Sequence, residues 1–166
     1  NPCASTYAAF SSSWLANAIN WGVGQGCLIT NSSFGVGQTA TTDNAYDNAE
    51  ANGLLHFASA GNGGSDQIGD PTLGYPSRLA SVEAVAAIGT TGTLTSFSNW
   101  GTGLQYAAPG SGVASCDRQD GLGYTSSDYC SFGGTSAASP FAAAAAALFW
   151  SPFPHYANST ARVTPR

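Results

Sequence analysis

Leu54-Leu55-His56-Phe57-Ala58 is a nearly continuous apolar run that breaks abruptly into Ser59-Ala60-Gly61-Asn62-Gly63-Gly64. A strand with no polar face must be covered on both sides, which is the condition of a parallel sheet inside an α/β layer. The neighbouring segments obey the same rule. Ser11 to Ser13 offer caps to a helix carrying Trp14, Leu15, Ala18 and Ile19 at helical spacing, with Gly22, Gly24 and Gly26 expected to end it. Leu28-Ile29-Thr30-Asn31-Ser32 reads as a buried strand running into a glycine-containing loop, Phe34-Gly35-Val36-Gly37. A second helix is expected from Thr42-Asp43, where the acid suits the positive helix end. Ala45, Tyr46 and Ala49 form its inner face, and Gly53 is its stop. Residues 82–88 and 106–109 are further strands, and residues 136–150 form an alanine-rich helix closed by Ser151-Pro152. Helices alternating with covered strands predict an α/β fold, a parallel sheet with helices on both faces. No repeat or linker divides residues 1–166, which read as one domain or part of one.

Composition narrows the class of partner. Charged residues make up 8% of the chain, against a usual ~25%, so small polar residues must cover the surface, as in many secreted proteins. Four arginines stand against nine acids, for a net charge of −5. No basic stripe exists to neutralise phosphates, which argues against nucleic acid. The most apolar stretch, Phe141 to Trp150, is about half the length a bilayer requires, so no membrane partner is expected. The chain starts at Asn1 and contains no methionine, which reads as a processed or excised product whose targeting segment is gone. Four cysteines show no metal-ligand spacing. Cys116 and Cys130 flank a Gly/Asp/Ser-rich loop and are expected to form a disulfide, the alternative being two free thiols. Cys3 and Cys27 pair with each other or with a segment absent from this chain.

The chemistry concentrates in Gly133-Gly134-Thr135-Ser136-Ala137-Ala138-Ser139-Pro140. Glycines permit a sharp turn and close backbone approach. A serine at the following helix start sits where unpaired N–H groups and the helix dipole converge, and where a developing negative charge is stabilised. Pro140 is expected inside the first turn, where a missing N–H costs little. The bland alternative is a capped alanine helix after a glycine turn.

The segment 134–140 resembles the nucleophile motif of the subtilisin family of serine proteases, Gly-Thr-Ser-x-Ala-[Ser/Ala/Thr]-Pro. Ala58-Ser59-Ala60-Gly61-Asn62 resembles that family's Ala-Ala-Gly-Asn strand end, and Gly74-Tyr75-Pro76-Ser77 its Gly-Tyr-Pro segment. Residues 95–101 are similar to its Ser-Phe-Ser-x-x-Gly turn, 107–110 to its Ala-Pro-Gly, and 29–35 to its Ile-Asn-Met-Ser-x-Gly-Gly. The resemblance implies a three-layer subtilisin-like architecture, incomplete in this chain, so that residues 1–166 are a partial catalytic domain. It implies Ser136 as nucleophile, with the Ser136 N–H and the Asn62 side chain holding the oxyanion. It implies Ser32, Ser33, Phe34 and Gly35 as one wall of the substrate pocket, Ala58, Ser59 and Ala60 as the other, and Gly74 near the base. Strand 32–35 would pair with an extended peptide or protein substrate. Tyr75-Pro76 is a candidate cis peptide bond in this setting.

A serine nucleophile needs a base, which the family supplies as a histidine oriented by an aspartate. Neither upstream motif occurs here. His56 lies within an apolar strand, and His155 follows the serine helix, about 20 Å from Ser136 at ~1.5 Å per residue, so neither is a credible base. The expected partner is a complementary N-terminal chain that supplies Asp and His. Other departures are Phe141, where the family often has histidine and where packing is expected, and alanine in place of methionine after the nucleophile. No cofactor is needed for catalysis and no metal ligands are assigned. Structural calcium is frequent in the family, but Asp66, Asp70, Asp117, Asp120 and Asp128 read as loop solubilisers. The sequon at Asn158 is a glycosylation candidate in a secreted, extracellular protein, while that at Asn31 borders the cleft. The alternative is a non-catalytic binding or assembly module on the same fold. Sedolisins, which place an acid where Asn62 stands, fit less well.

Overall fold

The computed structural model describes residues 11–63, 68–118 and 123–151. In chain order the elements are α1 (Ser12–Gly24), β1 (Ile29–Ser32), α2 (Ala40–Ala51), β2 (Leu55–Ser59), β3 (Val82–Ile88), β4 (Leu104–Pro109), β5 (Val113–Cys116), β6 (Tyr129–Phe132) and α3 (Thr135–Trp150). Strands β1 to β4 form one parallel sheet in that order, with Ser32 beside Ala58 and Ala58 beside Ala84. The apolar run of β2 occupies an inner position, and its side chains alternate between two cores. Ala58 joins Ile19, Tyr46, Ala49 and Leu54 under α1 and α2. Phe57 joins Val85, Ala87, Ala108, Ala138 and Ala143 under α3. The α/β fold expected from the sequence, helices on both faces of a parallel sheet, is the fold observed.

Element ends differ from expectation for local reasons. Ser11 caps α1, but the helix passes through Gly22 and Gly24, and the chain leaves it at Gly26, whose φ of +73° suits a residue without Cβ. Helix α2 starts ahead of Thr42. Thr39 is its cap, and its side chain and that of Thr42 each accept the other's backbone N–H. Phe141, expected to pack, is 45% exposed, because Ala142, Ala143 and Ala146 take the sheet side of α3.

The segment expected to be a stapled loop is an antiparallel hairpin. Cys116 faces Tyr129 across it, and Cys130 faces Ser115. A one-residue offset in a ladder turns side chains to opposite faces, so the expected Cys116–Cys130 disulfide does not form. Both are free thiols, as is Cys27. Asp117 does more than solubilise, accepting the N–H groups of Arg118 (2.8 Å) and Thr125 (2.9 Å).

Candidate active site

Strands β2 and β4 end on the same edge of the sheet, and α3 begins there. After β4 the chain passes Gly110, whose carbonyl accepts the Gly134 N–H at 2.8 Å. A Cβ on Gly110 would stand 2.5 Å from the Ala87 Cβ and 2.8 Å from the Gly134 carbonyl. The turn that delivers Ser136 is thus laid directly on the strand ends, a contact only glycine allows.

Gly134 occupies the N-cap of α3 with φ +110° and has no side chain to cap the helix. Asn62 supplies the cap from another part of the chain. Its Oδ1 accepts the Thr135 N–H (2.8 Å) and the Thr135 hydroxyl (2.9 Å). A backbone N–H can only donate, so the atom facing it is the amide oxygen, and Nδ2 is left as a donor directed elsewhere. Thr135 is fully buried, and its hydroxyl accepts the Gly61 N–H at 3.2 Å.

The neighbouring Ser136 is half-buried and tied to Ser33, the residue that follows β1. Its Oγ donates to the Ser33 carbonyl at 3.2 Å, and the Ser33 Oγ donates to the Ser136 carbonyl at 2.9 Å. That second bond has a cause in Pro140, which lies beyond the first turn where it was expected. Without an N–H, Pro140 cannot bond the carbonyl four residues back, and Ser33 fills the vacancy. Asn31 extends the tie, accepting from the Ser139 hydroxyl (2.6 Å) and donating to the Ser33 Oγ (2.9 Å).

The other expected site residues converge here. Ser32 is buried and hydrogen-bonded to Tyr46 at 2.9 Å, beside Ala58. Phe34 is half-buried and Gly35 exposed, and the next N–H, that of Val36, reaches the Tyr75 carbonyl at 3.3 Å. Gly74 donates to the Ala60 carbonyl at 2.8 Å, which joins the two sides. Ser59, on β2 between them, is buried. Ala58 and Ala60 turn their methyl groups into the cores, so these two can face a cleft only with their backbone. Tyr75-Pro76 is cis, as expected. The Tyr75 hydroxyl donates to Thr42 at 2.6 Å, and burial foremost pushes its pKa up to about 12.

Asn99 carries a role that its sequence context did not announce. Its Oδ1 accepts the N–H groups of Gly63 (2.6 Å) and Asp70 (3.0 Å). Its Nδ2 donates to the Thr72 carbonyl (3.1 Å), and its own N–H donates to the Gly61 carbonyl (2.9 Å). One buried asparagine therefore braces both flanks of Asn62, the Gly63 side through its carboxamide and the Gly61 side through its backbone N–H. Thr135 and Gly110 were likewise visible only as members of motifs, without a signal for what they hold.

His56 belongs to the core. It is 1% exposed, sits near the start of β2 away from the Asn62 end, lies 2.5 Å from the Thr30 hydroxyl through Nδ1, and meets Tyr46 edge-on. His155, Cys3 and Asn158 lie outside the described residues. Among the described residues no group of three or more His, Cys, Asp or Glu side chains is placed to hold a metal ion. No helix among them is long and apolar enough to cross a membrane.

Comparison with known proteins gives a consistent picture. Residues 5–164 match the profile described as the subtilase family. The chain is 38% identical to subtilisin DY of Bacillus licheniformis over 159 residues, which covers 95% of this chain and 53% of that protein. Among solved structures, the self-cleaved protease domain of PatA is similar with TM-score 0.74 at 29% identity, covering 87% of this chain and 53% of that one. A cold-adapted subtilisin-like serine proteinase is similar with TM-score 0.72 at 28% identity, covering 87% and 50%. The chain spans about half the length of these proteins.

Proposed function

The chain belongs to the subtilase family, and from that premise we propose that it is the nucleophile-bearing portion of a secreted serine endopeptidase. Ser136 attacks the scissile carbonyl of a peptide or protein substrate. The Ser136 N–H and the Asn62 Nδ2 hold the oxyanion. A histidine–aspartate pair from a complementary N-terminal segment or chain takes the Ser136 proton and passes it to the leaving amine, and water then opens the acyl-enzyme.

The observation that carries this reading is the orientation of Asn62. Its oxygen is consumed by Thr135, so its amide donors are turned out one residue from Ser136. Capping the helix uses only the oxygen, and the oxyanion role gives the remaining donor a use. The open edge of β1, beside Ser33 and Ser136, supports the reading that further chain joins the sheet there. So do the exposed Trp14 and Trp21 of α1 and Leu148 of α3. His56 is committed to the core, which supports taking the base from elsewhere.

The test is labelling with a fluorophosphonate probe, mapped by mass spectrometry. Material isolated with its accompanying segment should carry the probe on Ser136, and the 166-residue chain alone should not react. Freshly isolated material that leaves Ser136 unlabelled would favour the non-catalytic module.

A further inference from the structure

The residue after Asn62 is Gly63, and the chain has one other Asn-Gly pair, Asn52-Gly53. In such a pair the backbone nitrogen of glycine can close on the asparagine side-chain carbonyl carbon, since no Cβ blocks the approach. The nitrogen loses its proton and forms a bond to Cγ, and ammonia leaves from Cγ to give a five-membered imide. Water then opens the ring to aspartate or isoaspartate. The net change consumes one water and releases one ammonia.

At Asn62 both reacting groups are held away from that path. The Gly63 nitrogen has its proton committed to Asn99 Oδ1 at 2.6 Å. The Asn62 carboxamide is pinned through its oxygen by the Thr135 N–H and hydroxyl. Asn99 is itself fixed by the Asp70 N–H, the Thr72 carbonyl and the Gly61 carbonyl, and is 7% exposed. The fit is tight, for a Cβ on Gly61 would come within 2.5 Å of Asn99 Nδ2.

We propose that Asn62-Gly63 is a latent self-modification site that Asn99 holds shut, and that release of this clamp converts the amide donor at Asn62 into a carboxylate acceptor. The ring closure stands on its own chemistry. Its consequence, loss of the oxyanion donor, rests on the protease reading above.

The test follows acid formation at Asn62 and Asn52 by peptide mapping while the protein, with any accompanying chain, ages in mildly alkaline buffer. In the unaltered protein Asn62 should convert much more slowly folded than in urea. Asn99→Ala should speed conversion at Asn62 by about tenfold, a barrier change of about 1.4 kcal/mol, and leave Asn52 unchanged. Asn99→Asp keeps acceptor oxygens for Gly63 and Asp70 but loses the donor to the Thr72 carbonyl, so it should restore protection in part, converting more slowly than Asn99→Ala. Equal conversion of Asn62 in folded and urea-treated protein overturns the proposal even if no variant folds. So does an Asn99→Ala protein in which Asn62 and Asn52 accelerate together, since that is general loosening. Fluorophosphonate labelling of the same samples separates the two claims. Conversion at Asn62 without loss of labelling would leave the clamp standing and count against the donor role.

Discussion

Replacing Thr135 by valine asks how strongly the nucleophile turn and the Asn62 loop depend on one hydroxyl. Valine keeps the branched shape and the backbone N–H but removes an oxygen that donates to Asn62 Oδ1 at 2.9 Å and accepts from Gly61 N–H at 3.2 Å. Thr135 is fully buried, so water cannot replace these bonds. The lost donation should cost about 1 kcal/mol, and stranding the Gly61 N–H a further ~1–3 kcal/mol. The sum, about 2–4 kcal/mol, is a large part of a small domain's stability and is measured as a lower urea midpoint. Thr135→Ser keeps the oxygen and should lose less than about 1 kcal/mol.

With Asn62 as the proposed oxyanion donor, the functional effect should be smaller than removal of that donor. Loss of one oxyanion donor costs about 10²–10³ in turnover, a figure established on subtilisin, a relative of this chain. In Thr135→Val the carboxamide retains its bond from the Thr135 N–H, so Ser136 labelling should slow by about tenfold, near 1.4 kcal/mol. Combined with Asn62→Ala, the two losses should fall short of additivity by about 1 kcal/mol, because both act through one contact. A Thr135→Val protein with an unchanged urea midpoint, or strict additivity with Asn62→Ala, would refute the reasoning.

What could be read from the sequence, and what could not, divides by the range of the interaction. The apolar run 54–58 announces a covered strand because burial on both faces leaves a local mark, and Ser136 is marked by the glycines and alanines around it. Asp43 points to a start of α2 at Thr42-Asp43, whereas the reciprocal bonds between Thr39 and Thr42 make Thr39 the cap. The β5–β6 hairpin is not legible in the sequence because Val-Ala-Ser-Cys and Tyr-Cys-Ser-Phe are short and weakly patterned, and its ladder register decides against the disulfide. The largest gap is Asn99. Its importance comes from the Gly63, Asp70 and Thr72 backbone groups brought to one carboxamide, and no spacing rule encodes such a meeting. The mutual Ser33–Ser136 bonds, linking residues far apart in sequence, are hidden for the same reason.

Two further substitutions probe the strand ends and the sheet interior. Gly110→Ala drives a methyl group into the Ala87 Cβ and the Gly134 carbonyl, so it should cost at least about 2 kcal/mol in thermal unfolding and slow Ser136 labelling. A neutral outcome would show that the nucleophile turn does not rest on the strand ends. Glu83, buried on β3, has its carboxyl pKa raised by desolvation first and by the charge of Glu50 second. Between the ordinary carboxyl value of about 4.3 and the raised folded value, the native state holds a proton that the unfolded chain has released, so stability falls as pH rises through that window. Glu83→Gln cannot ionise and should escape this fall, being more stable than the parent at neutral pH with the advantage shrinking as pH drops toward about 4. Urea midpoints measured across that range decide the matter. A stability difference that stays constant with pH would mean that burial of the charge is not what sets the carboxyl apart, and that the effect of the substitution is one of packing alone.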